Sequence, residues 1–196
     1  MAEAPGVVVQ KVTGAQREHV ARHLLRLAPE DRRMRFGAPT RASTIEAYAA
    51  RIDFAADQVF GVIGSDLELW GVAHLALDRD AQVAELGLSV DWSVRERGYG
   101  RALLERAVLH ATNRGYPALF MHCLTENKTM MNLARGAGLH LVISFGEADG
   151  KLALGEPTQA GAIREAIQDQ FALVDYLLKQ QYSWLNRPRS PAALEQ

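Results

Sequence analysis

The 196-residue sequence predicts an α/β (α+β) fold: a central sheet of six to seven strands flanked by helices, with an added C-terminal amphipathic helix. Three observations carry this. Short β-rich or alternating runs are interleaved with stretches whose apolar residues recur at three-and-four spacing. Between Val83 and Ala111 a strand, a glycine-rich turn and a helix follow one another directly. From about Gly161 to Trp184, Ile163, Ile167, Phe171, Val174, Leu177, Leu178 and Tyr182 make one long helical stripe. Residues 1–157 are expected as one domain and 158–196 as an appended helix, with a disordered tail from Asn186. Whether that helix packs on its own domain or on a second subunit stays open.

In chain order, Val7, Val8, Val9 and Val12 form a first strand, closed by Thr13-Gly14. Val20, Leu24, Leu25 and Leu27 give the next helix its apolar face, which ends at Ala28-Pro29. Pro29 to Phe36 holds Glu30, Asp31, Arg32, Arg33 and Arg35. It is expected as a solvated helical turn whose exposed ion pairs are each worth under ~1 kcal/mol. Ser43 or Thr44 can cap a second helix, buried through Ile45, Tyr48, Ala49, Ile52 and Phe54. Two antiparallel strands follow, 58–63 and 67–77, joined at Gly64-Ser65-Asp66. Even separation puts Trp70 and His74 on one face. His74 is expected as a hydrogen-bonded histidine on a half-buried face, with a place in a binding pocket as the competing role. Asp78-Arg79-Asp80 turns the chain into the central strand.

That strand alternates Ala84, Leu86, Leu88 and Val90 on one face with Glu85, Gly87 and Ser89 on the other. After Arg95, Gly98 and Gly100, the residues Ala102, Leu103, Leu104, Ala107, Val108 and Ala111 form a helical stripe. A glycine-rich turn opening a helix gathers unpaired backbone amides at the positive end of the helix dipole, and so binds phosphate. Gly98 and Gly100 can take angles closed to other residues, and Arg95, Arg97 and Arg101 add positive charge. A solvated turn is the alternative for a bare G-x-G. Asn113 to Pro117 stops the helix, and Ala118 to Leu124 is nearly continuous in apolar residues, as in a strand buried on both faces. Cys123 is expected as a small core residue, since no Cys-His-acid set is evident near it. Asn127 caps a helix with Met130, Met131, Leu133, Ala134 and Ala137 on its apolar side, closed by Gly138. Strands at 139–145 and 151–154 complete the sheet.

R95-E-R-G98-Y-G100, preceded by A-E-L-G-L-S-V and followed by R-A-L-L, resembles the acyl-CoA signature R/Q-x-x-G-x-G/A of the GNAT superfamily of N-acetyltransferases. The likeness extends through the strand from Ala118 and the helix Glu126 to Leu139, covering roughly 58–145. It implies the GNAT fold over 1–157, with a mixed, mostly antiparallel sheet, and acetyl-CoA (coenzyme A) as co-substrate. It also implies that Leu88, Ser89 and Val90 line the pantetheine, that Arg95, Glu96, Arg97, Gly98, Tyr99, Gly100 and Arg101 cradle the phosphates, and that Asn127 contacts the cofactor. Glu85 lies where the family often places a base, with a structural or acceptor-binding carboxylate as the other role. The tyrosine that often protonates the leaving thiolate aligns with Ala134, which leaves the general acid open, with Tyr99 and Tyr48 in reach of the question. Glu30 to Phe36 resembles a stretch of some bacterial protein lysine acetyltransferases.

The expected activity is therefore transfer of an acetyl or acyl group to a primary amine, on a small molecule or a protein lysine, in a ternary complex. An acyl-CoA-binding regulatory domain without catalysis is the alternative. A dinucleotide oxidoreductase is weaker, because position 103 is Leu where a third glycine belongs. The formal net charge of −1, without a Lys/Arg run, argues against nucleic acid, and no apolar run approaches a membrane span. No metal is expected. A single cysteine and an N-terminus without signal-peptide character suggest a cytoplasmic protein. A homodimer is among the expected assemblies.

Overall fold

A computed structural model describes residues 6–186 of the chain. Among the described residues, seven strands form one sheet in the order β1-β2-β3-β4-β5-β7-β6. They are β1 (Gln10–Val12), β2 (Gln58–Ile63), β3 (Leu69–Asp78), β4 (Val83–Val90), β5 (Ala118–Leu124), β6 (His140–Ser144) and β7 (Glu147–Ala153). Every neighbouring pair is antiparallel except β4 with β5. Helices α1 (Arg17–Arg26), α2 (Pro29–Phe36) and α3 (Ala42–Arg51) precede β2. α4 (Tyr99–Asn113) is the crossover between the parallel strands, α5 (Lys128–Gly136) follows β5, and α6 (Gln159–Leu185) ends the described chain.

Alternation along β4 divides the core. Ala84, Leu86 and Leu88 are buried against Leu103, Leu104 and Ala107 of α4. On the opposite face, Val20 and Leu24 of α1 and Ile45 of α3 pack on Val59 and Val72. Each fully buried aliphatic side chain contributes roughly 1.5–3 kcal/mol, so the helix stripes and the strand alternation stabilise the same two layers. Cys123 is buried beside Met131 and Ala148, and burial pushes its thiol pKa up, which fits a core residue.

Several local expectations are corrected. Val7 to Val9 lie ahead of β1. Arg41, not Ser43 or Thr44, is the N-cap of α3, so both hydroxyl residues fall inside its first turn. β3 starts at Leu69 because Leu67 takes φ 63 in the preceding turn. β7 begins at Glu147 and inserts between β5 and β6. Trp70 and His74 do not share a face. Trp70 stacks on Tyr99 at the start of α4, whereas His74 reaches Tyr48 of α3. The register shift between Val62 and Ile63, opposite Trp70, breaks the alternation that the even spacing assumed.

α6 packs on its own domain along α4 and β1 through a mixed face, in which Ala172 is buried, Tyr176 packs on the cluster around Val12 and Ile63, and polar groups supply the rest. Glu165 accepts from His110 Nδ1 at 2.6 Å and Asn113 Nδ2 at 2.7 Å, and Asp169 pairs with Lys11 at 2.7 Å and with Arg106. Lys179 donates to Ile63 O at 2.8 Å. The apolar stripe points outward. The tail expected to be disordered lies, beyond Asn186, outside the described residues. No described helix is long and apolar enough to cross a membrane.

Candidate active site

β4 and β5 pair at two positions only, Ala84 with Leu119 and Glu85 with Phe120. Beyond Glu85 the strands part, so among the described residues the β5-facing edge of β4 from Gly87 to Val90 has no ladder partner. Strand amides and carbonyls left in this way need a hydrogen-bonding partner, which an extended, amide-bearing ligand can supply.

α4 starts at the far end of that opening. Its N-cap, Gly98, has φ 80, a left-handed conformation that glycine adopts at little cost. No side chain caps the first turn and no acid stands in it. Ala102 N is the first amide to bond back, to Gly98 O at 3.0 Å. The amides of Tyr99, Gly100 and Arg101 thus point, uncapped, into the turn at the positive end of the helix dipole, an arrangement that binds anions. Gly100 departs from expectation. It is helical without positive φ, and a Cβ there would meet Leu133, Leu88 and Val90 at 3.5–3.8 Å, an ordinary contact. Of the two, Gly98 alone requires glycine for its backbone.

Leu88, Ser89, Val90, Arg95, Glu96, Gly98, Tyr99, Gly100, Arg101 and Asn127 line one groove of about 530 Å³, within the size range of cofactor sites. Arg97 is exposed and stands apart from this lining. The arginines are less free than their sequence positions suggested. Arg95 pairs with Asp31 of α2 at 2.7 Å, and Arg101 with Glu105 at 2.8 Å. The Ser89 side chain turns away from the groove, its hydroxyl donating to His23 Nε2 at 2.9 Å while His23 Nδ1 donates to Leu69 O at 3.0 Å. Asn127 Oδ1 accepts from Met130 N at 3.0 Å and caps α5 where the residue borders the groove.

Glu85 stands at the fork itself, exposed, beside a smaller cavity of about 180 Å³ that also touches Gly87, Met121, His122 and Cys123. Arg35 borders both cavities. Its guanidinium lies over Gly87 so closely that a Cβ there would fall 2.1 Å from Nη2. Gly87 is therefore the residue that admits the arginine into the cleft. Arg35 donates to Tyr48 Oη at 3.0 Å, Tyr48 Oη lies 2.6 Å from His74 Nδ1, and His74 Nε2 lies 3.0 Å from Asp57 Oδ2. Burial holds the His74 pKa below its usual value against the pull of Asp57. The ring is then neutral, with Nε2–H donating to the carboxylate and Nδ1 accepting from the phenol. No carboxylate among the described residues pairs with Arg35.

α2 spans the mouth of the fork. Asp31 ties it to Arg95 on the β4 side, and Arg33 pairs with Glu126, beyond β5, and with Glu30. The charged segment expected to be a solvated turn is thus also a strap. Arg35, Asp57 and the Tyr48 linkage were not legible as site residues. For Arg35 the signal was the likeness around Glu30 to Phe36, which marks the segment without saying which side chain enters the cleft; Tyr48 and His74 were singled out separately, as a candidate acid and a candidate pocket residue, without their linkage. Ala134 is 1% exposed and packed into the core. α5 lines the groove with Thr129, Met130, Asn132 and Leu133, so it presents no phenol there. Among the residues lining the groove, Tyr99 carries the one phenol.

The chain matches the model of the acetyltransferase (GNAT) family over residues 22–139. No curated protein matches. Among solved structures, the GNAT domain of S. lividans PAT is 22% identical, with a TM-score of 0.64 over 74% of this chain and 89% of that one. The ribosomal-protein-alanine N-acetyltransferase from Brucella melitensis is 15% identical, with a TM-score of 0.57 over 76% of this chain and 100% of its own. The yncA protein from Salmonella typhimurium, solved with its cofactor acetyl-CoA, is 16% identical, with a TM-score of 0.57 over 78% and 96%. At these identities the likeness concerns the fold.

Proposed function

Because the chain belongs to the GNAT acetyltransferase family, we propose that it transfers an acetyl or related acyl group from acetyl-CoA to a primary amine, by direct attack while both substrates are bound. The observation that carries this reading is Glu85 at the point where β4 leaves β5, between an unpaired strand edge and an uncapped helix start.

The residues present fit the co-substrate. The amides of Tyr99, Gly100 and Arg101, with Arg95 and Arg101 beside them, would hold the diphosphate, and the main chain of Gly87 to Val90 would align the pantetheine. Bound there, the group supplies an acyl carbon activated as a thioester and a thiol that can leave. The work of the protein is to deliver a neutral amine. A lysine-like amine, with a pKa near ~10.4, is mostly protonated at neutral pH, so Glu85 accepts its proton directly or through water. Arg35, held by Tyr48, offers donors at the junction of the two cavities and orients an oxygen of either substrate there. The Tyr48 hydroxyl is engaged with His74, which leaves Tyr99 as the phenol facing the groove.

The acceptor is a small amine or a protein lysine. The strap α2, whose sequence resembles that of some bacterial protein lysine acetyltransferases, lies over the acceptor side and supports the second.

A second reading, an acyl-CoA-binding module without turnover, draws on Ala134 and on the lack of a phenol among the groove residues of α5. Thiol release from acetyl-CoA over a panel of amines, amino acids and lysine peptides separates the two. The enzyme reading expects release that depends on the amine. Binding with no release above hydrolysis in any panel member assigns the module instead.

A further inference from the structure

Among the described residues, most of the exposed large apolar side chains lie on the outer face of α6. Ten large apolar side chains on this helix are each more than half exposed, among them Ile163, Ile167, Phe171, Val174, Leu178 and Tyr182. The helix departs from an ordinary surface helix, because apart from the buried Ala172 and the partly buried Tyr176 its domain-facing side is polar, with Glu165, Asp169 and Lys179 forming ion pairs and hydrogen bonds there. Such a helix leaves its apolar side for something else to cover.

We propose that this face is an isologous dimer interface, covered by α6 of a second copy of the chain in antiparallel orientation. Three observations select this occupant. At half or more exposure, each of the ten side chains offers on the order of 100 Å², so one copy presents about 1,000 Å², more than the ~800 Å² per partner of a standard interface. The steps from Ile163 to Leu185 are four, four, three, four, four and three residues, an eleven-residue repeat. That period, near 3.67 residues per turn, keeps the stripe almost straight along the helix, which suits a helix of equal length lying against it. The exposed stripe carries no charge, and the acidic residues of α6 are turned inward. A lipid surface, which calls for Lys and Arg beside the apolar face, is disfavoured.

Size sets the direction. The helix is aliphatic at its start, with Ile163 and Ile167, and aromatic at its end, with Tyr182 and Trp184. Antiparallel pairing about Val174 sets large against smaller side chains, Tyr182 against the partner's Ile167 and Phe171 against the partner's Leu178, whereas parallel pairing would crowd the aromatic ends together. A two-fold axis passes beside Val174 and makes the contact self-complementary.

Sedimentation and cysteine crosslinking of the full chain test this. Cys123 is buried, so an introduced thiol reports its own position. The wild type is expected as a dimer, and F171E/L178E as a monomer that keeps its helical circular dichroism, since both side chains face solvent within one copy. Val174→Cys should form an intermolecular disulfide, and Ile163→Cys alone should not. A monomeric wild type, a dimer that survives F171E/L178E, or crosslinking of Ile163→Cys in place of Val174→Cys would each overturn the proposal. These outcomes do not depend on acyl transfer, so they leave the catalytic reading untouched.

Discussion

Replacement of Glu85 by glutamine is expected to lower turnover by about 10²–10³-fold while the affinity for acetyl-CoA stays as it was. Glutamine keeps the size and the strand position, and the main-chain pairings of residue 85 with Ala76 and Phe120 do not involve the side chain. What it removes is a proton acceptor at the fork. The groove that would hold the diphosphate lies farther along β4 and does not include Glu85 among its walls. The loss should therefore fall on kcat at saturating acceptor and shrink as the pH approaches the acceptor amine's own pKa, where less deprotonation is needed. Turnover equal to that of the wild type at neutral pH would remove Glu85 as the base.

The second large effect concerns stability. His23 of α1 is fully buried against β3 and β4, and burial pushes its pKa from 6.5 down to about 4. Its neutral ring donates to Leu69 O and accepts from the Ser89 hydroxyl, so a proton added at Nε2 would reverse the bond to β4 and bury a positive charge. The sign follows from linkage. Between pH 6.5 and about 4 the unfolded chain binds a proton that the folded chain refuses. Stability contributed by this site is thus complete above the unfolded value and is lost as the pH falls toward the folded one, a change on the order of 3 kcal/mol. Urea unfolding of the wild type and of His23→Gln across this range should give curves that converge toward acid, the variant losing less. Parallel curves would mean that His23 is not the titrating group. Because Ser89 belongs to the strand edge that borders the groove, the same acid loss should be accompanied by weaker coenzyme A binding.

Much of this was legible in the sequence, for reasons that differ by element. The alternation from Val83 to Val90 and the stripe from Ala102 to Ala111 are local periodicities, and each burial period matched its neighbours, so both elements stand where the pattern put them. Gly98 was legible because a positive φ leaves a mark on residue type. Gly100 left the same mark for no conformational reason. Trp70 was misplaced because a bulge depends on the partner strand, which spacing within β3 does not record. Arg35, Tyr48, His74 and Asp57 come from α2, α3, β3 and the loop before β2, and only tertiary packing makes them one chain of hydrogen bonds. α6 was legible as an amphipathic helix. Its inward polar face was not, since periodicity marks two sides without saying which one the ion pairs of Arg106 and Lys11 will claim.

Calorimetric titration of the purified protein with coenzyme A tests the central claim most directly, since every chemical role assigned to the fork depends on a diphosphate held by the amides after Gly98. Saturable binding that weakens as salt rises and is lost when Gly98 is replaced by valine is the result predicted by this account. No detectable heat or association with coenzyme A or acetyl-CoA would contradict it.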